Sequence, residues 1–134
     1  DGDPNRLTRA QSIGRAAHDA FWSKSIGGYN LEAGVEQVYA SYAAWTSLGY
    51  LALYAADGNS AWLGMAQENA DALSSRLREP DAGYAYRAYQ CVNAMAMGCS
   101  AGSPMIVVDH TRDTSAQAWV QHLQAALADS LTAG

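Results

Sequence analysis

Asp109-His110-Thr111-Arg112-Asp113 is the densest polar cluster in the chain. Two carboxylates, an imidazole and a guanidinium within five residues are the groups that hydrolytic and metal chemistry use. Asp109, His110 and Asp113 could together hold a divalent cation, with His122 approaching from further along. Asp109 and His110 could alternatively serve a small hydrolase as a base and its partner. The structural reading of the same residues is stronger. Asp113 stands just before Thr114 and can complement a helix N-terminus, and Arg112 has three carboxylates to choose from. No metal is therefore expected here.

His18-Asp19 is a second candidate pair. Neighbours on a helix point about 100° apart, so the two cannot orient each other, and His18 reads as a surface or interface histidine. The nucleophile and nucleotide patterns are missing: there is no Gly-x-Ser-x-Gly, no Walker loop and no dinucleotide fingerprint. No cofactor is expected.

The two cysteines lie in Cys91-Val-Asn-Ala-Met-Ala-Met-Gly-Cys99. Eight residues of continuous helix would hold their Cα atoms ~12 Å apart, beyond the reach of a disulfide. A bond between Cys91 and Cys99 therefore requires the helix to end near Gly98 and the chain to curl back. The expectation is that it does so, because an isolated even pair, in a chain whose first residue is not Met, fits an exported protein whose signal peptide has been removed.

Tyrosine and tryptophan are the more informative excess: eight Tyr and four Trp stand beside one Phe. Both carry an apolar body with a polar tip, which suits interfaces and clefts. Gly83-Tyr84-Ala85-Tyr86-Arg87-Ala88-Tyr89 combines them with arginine, the residue set of binding anchors. The expected binding residues are Tyr84, Tyr86 and Arg87, together with Asp109, His110 and Arg112 from the polar cluster.

Composition narrows the class. The chain has 134 residues, 49% hydrophobic and 16% charged, with a formal net charge of −5. One domain, 1–134, is expected, and disorder is not. The eight basic residues form no stripe, which argues against nucleic acid and against an anionic membrane surface. Val38 to Ala56 carries no charge but includes four Tyr, so it reads as a buried helix rather than a membrane span.

These residues need elements to hold them. Thr8 and Gln11 have the capping-box pattern, predicting a first helix over 9–24. Asn30 is a candidate cap for a second helix running to Ala56, with Leu31, Val35, Val38, Tyr42, Trp45 and Leu53 on one side. It is apolar on most sides, which predicts a central position. Ser60 caps a third helix over 61–78. A fourth covers 82–97. Pro104-Met-Ile-Val-Val108 reads as extended but has no evident partner strand. Thr114 or Ser115 caps a last helix with Ala116, Trp119, Val120, Leu123, Leu127 and Leu131 on its apolar stripe.

The expected fold is thus all-α, a bundle of about five helices with one long irregular connection over 99–113 and at most a short extended segment at 104–108. The expected function is that of an exported protein, periplasmic or secreted, non-enzymatic, which binds another protein in the manner of an inhibitor, an immunity protein or a dedicated chaperone. Two alternatives stand beside it. One is a carrier of a small apolar or aromatic ligand in a pocket between the second and fourth helices, lined by Tyr42, Trp45, Tyr89 and Met95. The other is the small hydrolase on the Asp109–His110 loop. A homodimer is a further form of partner.

Overall fold

Asp57-Gly58-Asn59 turns the chain between two helices as its residue types require. The computed structural model, which describes residues 4–79, 86–91 and 105–132, places α2 at Ala40–Asp57 and α3 at Ser60–Leu77. The Gly58 N–H closes α2 on the Tyr54 carbonyl at 2.8 Å, and the Asn59 side chain caps α3 by accepting from the Ala61 N–H at 3.1 Å. The cap is Asn59 rather than Ser60. α1 spans Pro4–Phe21 and α4 spans Thr114–Thr132. Pro4 opens α1 at the position where a missing N–H costs nothing. The expected capping box is not the start of this helix: Thr8 lies within it, and Gln11 reaches across to Asp57 at 2.8 Å.

The all-α expectation is overturned. Among the described residues there are four helices and a three-stranded antiparallel sheet, β1 Gln37–Tyr39, β2 Tyr86–Cys91 and β3 Ile106–Arg112, in the order β1-β2-β3. The mixed α/β architecture replaces the helical bundle in three places.

The predicted second helix does not begin at Asn30. Val35 N–H bonds Glu32 O at 3.2 Å in a tight turn, and Gly34 sits there at φ 79°, a left-handed conformation that glycine adopts without strain. Leu31 to Glu36 is therefore a turn feeding β1, and α2 starts only at Ala40. The predicted fourth helix is, over its described part, β2. Its Tyr-Arg-Ala-Tyr-Gln-Cys run satisfies a strand as well as a helix when read over so few residues. The extended segment does have a partner: β3 pairs with β2 through Tyr89↔Val108 and Cys91↔Ile106, and it reaches past residue 108 to Arg112. The irregular connection expected over 99–113 is thus a strand from Ile106 to Arg112.

Register sets the inner face. Val38, Tyr89 and Val108 stand opposite one another across the three strands, and the first two are fully buried. The Tyr89 hydroxyl donates to the Gly27 carbonyl in the loop that follows α1. Gly28 beside it, at φ 100°, leaves room that any Cβ would take from that hydroxyl and from Val38. The helices complete the core with Trp62, Leu73 and Leu77 of α3 and Val120, Leu123 and Leu127 of α4, packed against Ala43, Ala44 and Leu51 of α2.

Cys91 is half-buried at the end of β2, so the expected placement of Cys91 within a fourth helix does not hold. Cys99 lies outside the described residues.

Candidate interaction face

The expected binding residues meet in part across β2 and β3. Arg87 pairs with Asp109 at 3.0 Å, and its guanidinium lies 5.7 Å from the ring centre of Tyr39 on β1. The Tyr86 and His110 rings are 4.6 Å apart. Arg112, opposite Tyr86 in the register, is engaged with Glu79 after α3. Tyr84 lies outside the described residues. Arg87 and Arg112 therefore already hold carboxylates of their own chain, which reduces what they can offer an acidic partner.

Asp109 has Thr111 and Arg87 as its partners. Hydrogen bonds from Thr111, side chain and backbone, and then the nearby Arg87 charge hold its carboxyl below the usual carboxylate range. It accepts from the Thr111 N–H at 3.0 Å, and successive strand residues face opposite ways. Asp113 accepts from the Ser115 N–H at 2.8 Å and so caps α4; that bond holds its carboxyl low too. Among the described residues no group of three or more His, Cys, Asp and Glu is placed to hold a metal ion.

His18 has a different setting. Its Nδ1 lies 2.8 Å from the Tyr29 hydroxyl, and its ring stacks on Trp22 at 5.8 Å. Tyr29 packs at 5.5 Å against Tyr50, whose ring is nearly parallel to Trp62. Burial raises the pKa of both tyrosines, and the Tyr50 hydroxyl donates to the Gly14 carbonyl at 3.2 Å. This aromatic core couples α1 to α2 and α3. Asp57 fastens the same junction, accepting from Gln11, from Trp62 Nε1 at 2.9 Å and from the Asn59 N–H at 2.8 Å.

What this junction leaves outside is an apolar face. Gly14 lies so close to Leu53 that a Cβ there would approach its Cδ1 to 2.8 Å. α1 and α2 touch at this point, but both present small residues beside it: Ala10 and Ala17 on α1, Gly49, Ala52 and Ala56 on α2. The result is an open trough of about 580 Å³ between the two helices, with Leu7, Ile13 and Leu53 in its walls and Arg6 as its one charged lining residue. Thr46 belongs both to this trough and to a second hollow of about 340 Å³ lined by Phe21, Leu31, Tyr42 and Trp45. Ile13 is 64% exposed, Trp45 59% and Tyr42 55%. Trp45 leans on Trp119 of α4, with ring centres 5.4 Å apart.

Sequence reasoning placed Tyr42 and Trp45 inside. Of the residues expected to line a ligand pocket, Tyr89 is core, Tyr42 and Trp45 are on the surface, and Met95 lies outside the described residues. The available signal was the charge-free run from Val38 to Ala56, which holds more apolar surface than one buried side of a helix can absorb.

Compared with protein-family models, curated proteins and solved structures, the chain matches none.

Proposed function

We propose that the chain is a non-enzymatic module that binds another protein through the aromatic end of α2 and the trough beside it. The observation that carries this reading is the joint exposure of Leu31, Tyr42 and Trp45 around one hollow, at 37%, 55% and 59%. Single exposed apolar residues are ordinary, but a contiguous group with tryptophan and tyrosine at its centre is characteristic of contact surfaces. No charged residue lies between Ala40 and Ala56 to make this side of α2 prefer water.

The test is site-specific photo-crosslinking in the native cell. A photoreactive residue replacing Trp45 should form a heterologous adduct, and the same residue replacing exposed Ala125 on α4 should not. Equal adducts at both positions, or none at Trp45, would end this reading.

A further inference from the structure

We infer that the partner presents an amphipathic α-helix with an acidic flank, and that this helix lies along the trough between α1 and α2 as a third member of their layer. The inference rests on the protein-binding reading above and adds what the partner must look like.

Length is the first argument. The lining residues of α1 recur at Arg6, Ala10, Ile13, Ala17 and, in the adjoining hollow, Phe21. That is one continuous stripe of about 22 Å at 1.5 Å per residue. Tyr42, Trp45, Gly49, Ala52 and Ala56 repeat the pattern on α2. Two parallel stripes of four turns match a helix of about 15 residues, read at its own i, i+3, i+4 and i+7 positions.

Depth is the second. Gly14, Tyr50 and Leu53 form the buried base of the trough, its exposed edges are small residues, Ala10, Gly49, Ala52 and Ala56, and a Cβ at Gly49 would meet nothing within 4 Å. Small residues let a third backbone come close while its larger side chains fill the space, as ridges fill grooves between packed helices. The bulky residues stand at the aromatic end, where anchors are wanted.

Openness separates this occupant from a small ligand. Ligand sites bury most of the ligand's surface. Here Ala10, Ile13, Ala52 and Ala56 are all exposed, so the trough lacks an outer wall. A helix brings its own outer side.

Charge sets the flank. The protein is acidic overall, at −5, yet the trough is lined by Arg6 and by no carboxylate. Arg9 follows Arg6 by one turn, and neither makes an ion pair among the described residues. Asp19 falls on the other side of α1 at 100° per residue. A helix carrying Glu or Asp along the edge nearest α1 meets Arg6 in the lining, with Arg9 one turn on, and no carboxylate in the lining itself.

The test uses synthetic 16-residue helices with leucine along one face, labelled for fluorescence anisotropy. One carries Glu on its flanks and its twin carries Lys. The Glu helix should bind in the micromolar range and at least tenfold more tightly than the Lys helix. Gly49→Phe, which fills the open space beside Gly49, should weaken it at least tenfold. Ala52→Glu, on an exposed wall, should do the same should the first variant be misfolded by circular dichroism. Arg6→Glu with Arg9→Glu should reverse the preference between the two peptides. Failure of the Glu helix to bind, equal binding of the twins, or indifference to both trough variants would overturn the inference. So would a dimer in sedimentation that Gly49→Phe dissolves, which would give the trough to a second copy, or saturable binding of dodecanoate in place of the peptide. If the crosslink at position 45 forms but is unaffected by Gly49→Phe, the helix inference fails while the protein-binding reading stands. If no adduct forms at position 45, that reading fails first.

Discussion

Asn69 of α3 meets Ser47 of α2 in the fully buried interior, its Nδ2 donating to Ser47 Oγ at 2.7 Å and to the Ala43 carbonyl at 2.9 Å. Among the described elements these two helices make the most extensive contact, and the pair fixes how they sit on one another. Asn69→Ala should lower stability by about 2 kcal/mol, since it leaves a cavity and an unpaired hydroxyl. Ser47→Ala should cost about 1 kcal/mol, and the two together less than their sum, because they share one bond. Urea unfolding of the four proteins measures this. Simple additivity would mean that the bond does not couple the helices.

The acid side of the stability curve should carry the mark of Asp57. Its folded pKa is lowered, chiefly by the Asn59 N–H and then by Gln11 and Trp62, from an ordinary value of 3.8. A depressed carboxyl contributes stability that is present above its unfolded pKa and is lost as pH falls through the folded one. The denaturation midpoint should therefore decline below about pH 4, and Asp57→Asn should flatten part of that decline. Asp109 and Asp113, lowered in the same sense by bonds from Thr111 and Ser115, account for the remainder.

The alkaline side belongs to Tyr29, Tyr50 and Tyr89. Burial is the first cause of a raised pKa in all three. Their contribution is complete below the unfolded tyrosine pKa of 10.0 and falls away as pH rises beyond it, because only the unfolded chain can release those protons. Phenolate absorbance should show three tyrosines ionising together with loss of near-ultraviolet circular dichroism. If all eight ionise smoothly in a folded protein, the packing of this aromatic core is wrong.

The loop between α1 and β1 is held by a hydroxyl and a missing side chain. Tyr89→Phe removes the bond to Gly27 O and should cost about 1 kcal/mol. Gly28→Ala should cost more, about 2 kcal/mol or above, because φ is 100° and the added carbon meets Tyr89 and Val38. Thermal unfolding ranks the two, and the opposite order would place the strain elsewhere.

Helices that announce their own ends were legible in the sequence. Asp57-Gly58-Asn59 and the caps before α3 and α4 are local devices, and both helices fall within a residue or two of expectation. The sheet was not legible, because its strands are distant in sequence: β1 was read into the second helix despite Gly34, and β2 into the fourth. β3 was seen as extended, but its partner was hidden in a segment whose pattern also fits a helical face. For the site, the pairing of Arg87 with Asp109 depends on register, which neither segment encodes alone. The exposed side of α2 was misplaced because a helical wheel shows which residues share an arc, not which of several apolar arcs faces the core.

Gly49 offers the sharpest separation of stability from binding. It lies in an exposed stretch of helix interior, with nothing within 4 Å of where a Cβ would stand. Gly49→Ala should therefore raise stability by about 0.5–1 kcal/mol, through helix propensity and a less flexible unfolded chain. Trp45→Ala and Tyr42→Ala should change stability by under about 1 kcal/mol each, since both residues are more than half exposed. Binding should respond in the opposite order: least affected by Gly49→Ala, lowered more than tenfold by Trp45→Ala. Calorimetric melting and the peptide titration, run on the same three variants, test both at once. A Trp45→Ala protein that melts early and still binds would assign Trp45 to the packing of α2 against Trp119 rather than to a partner.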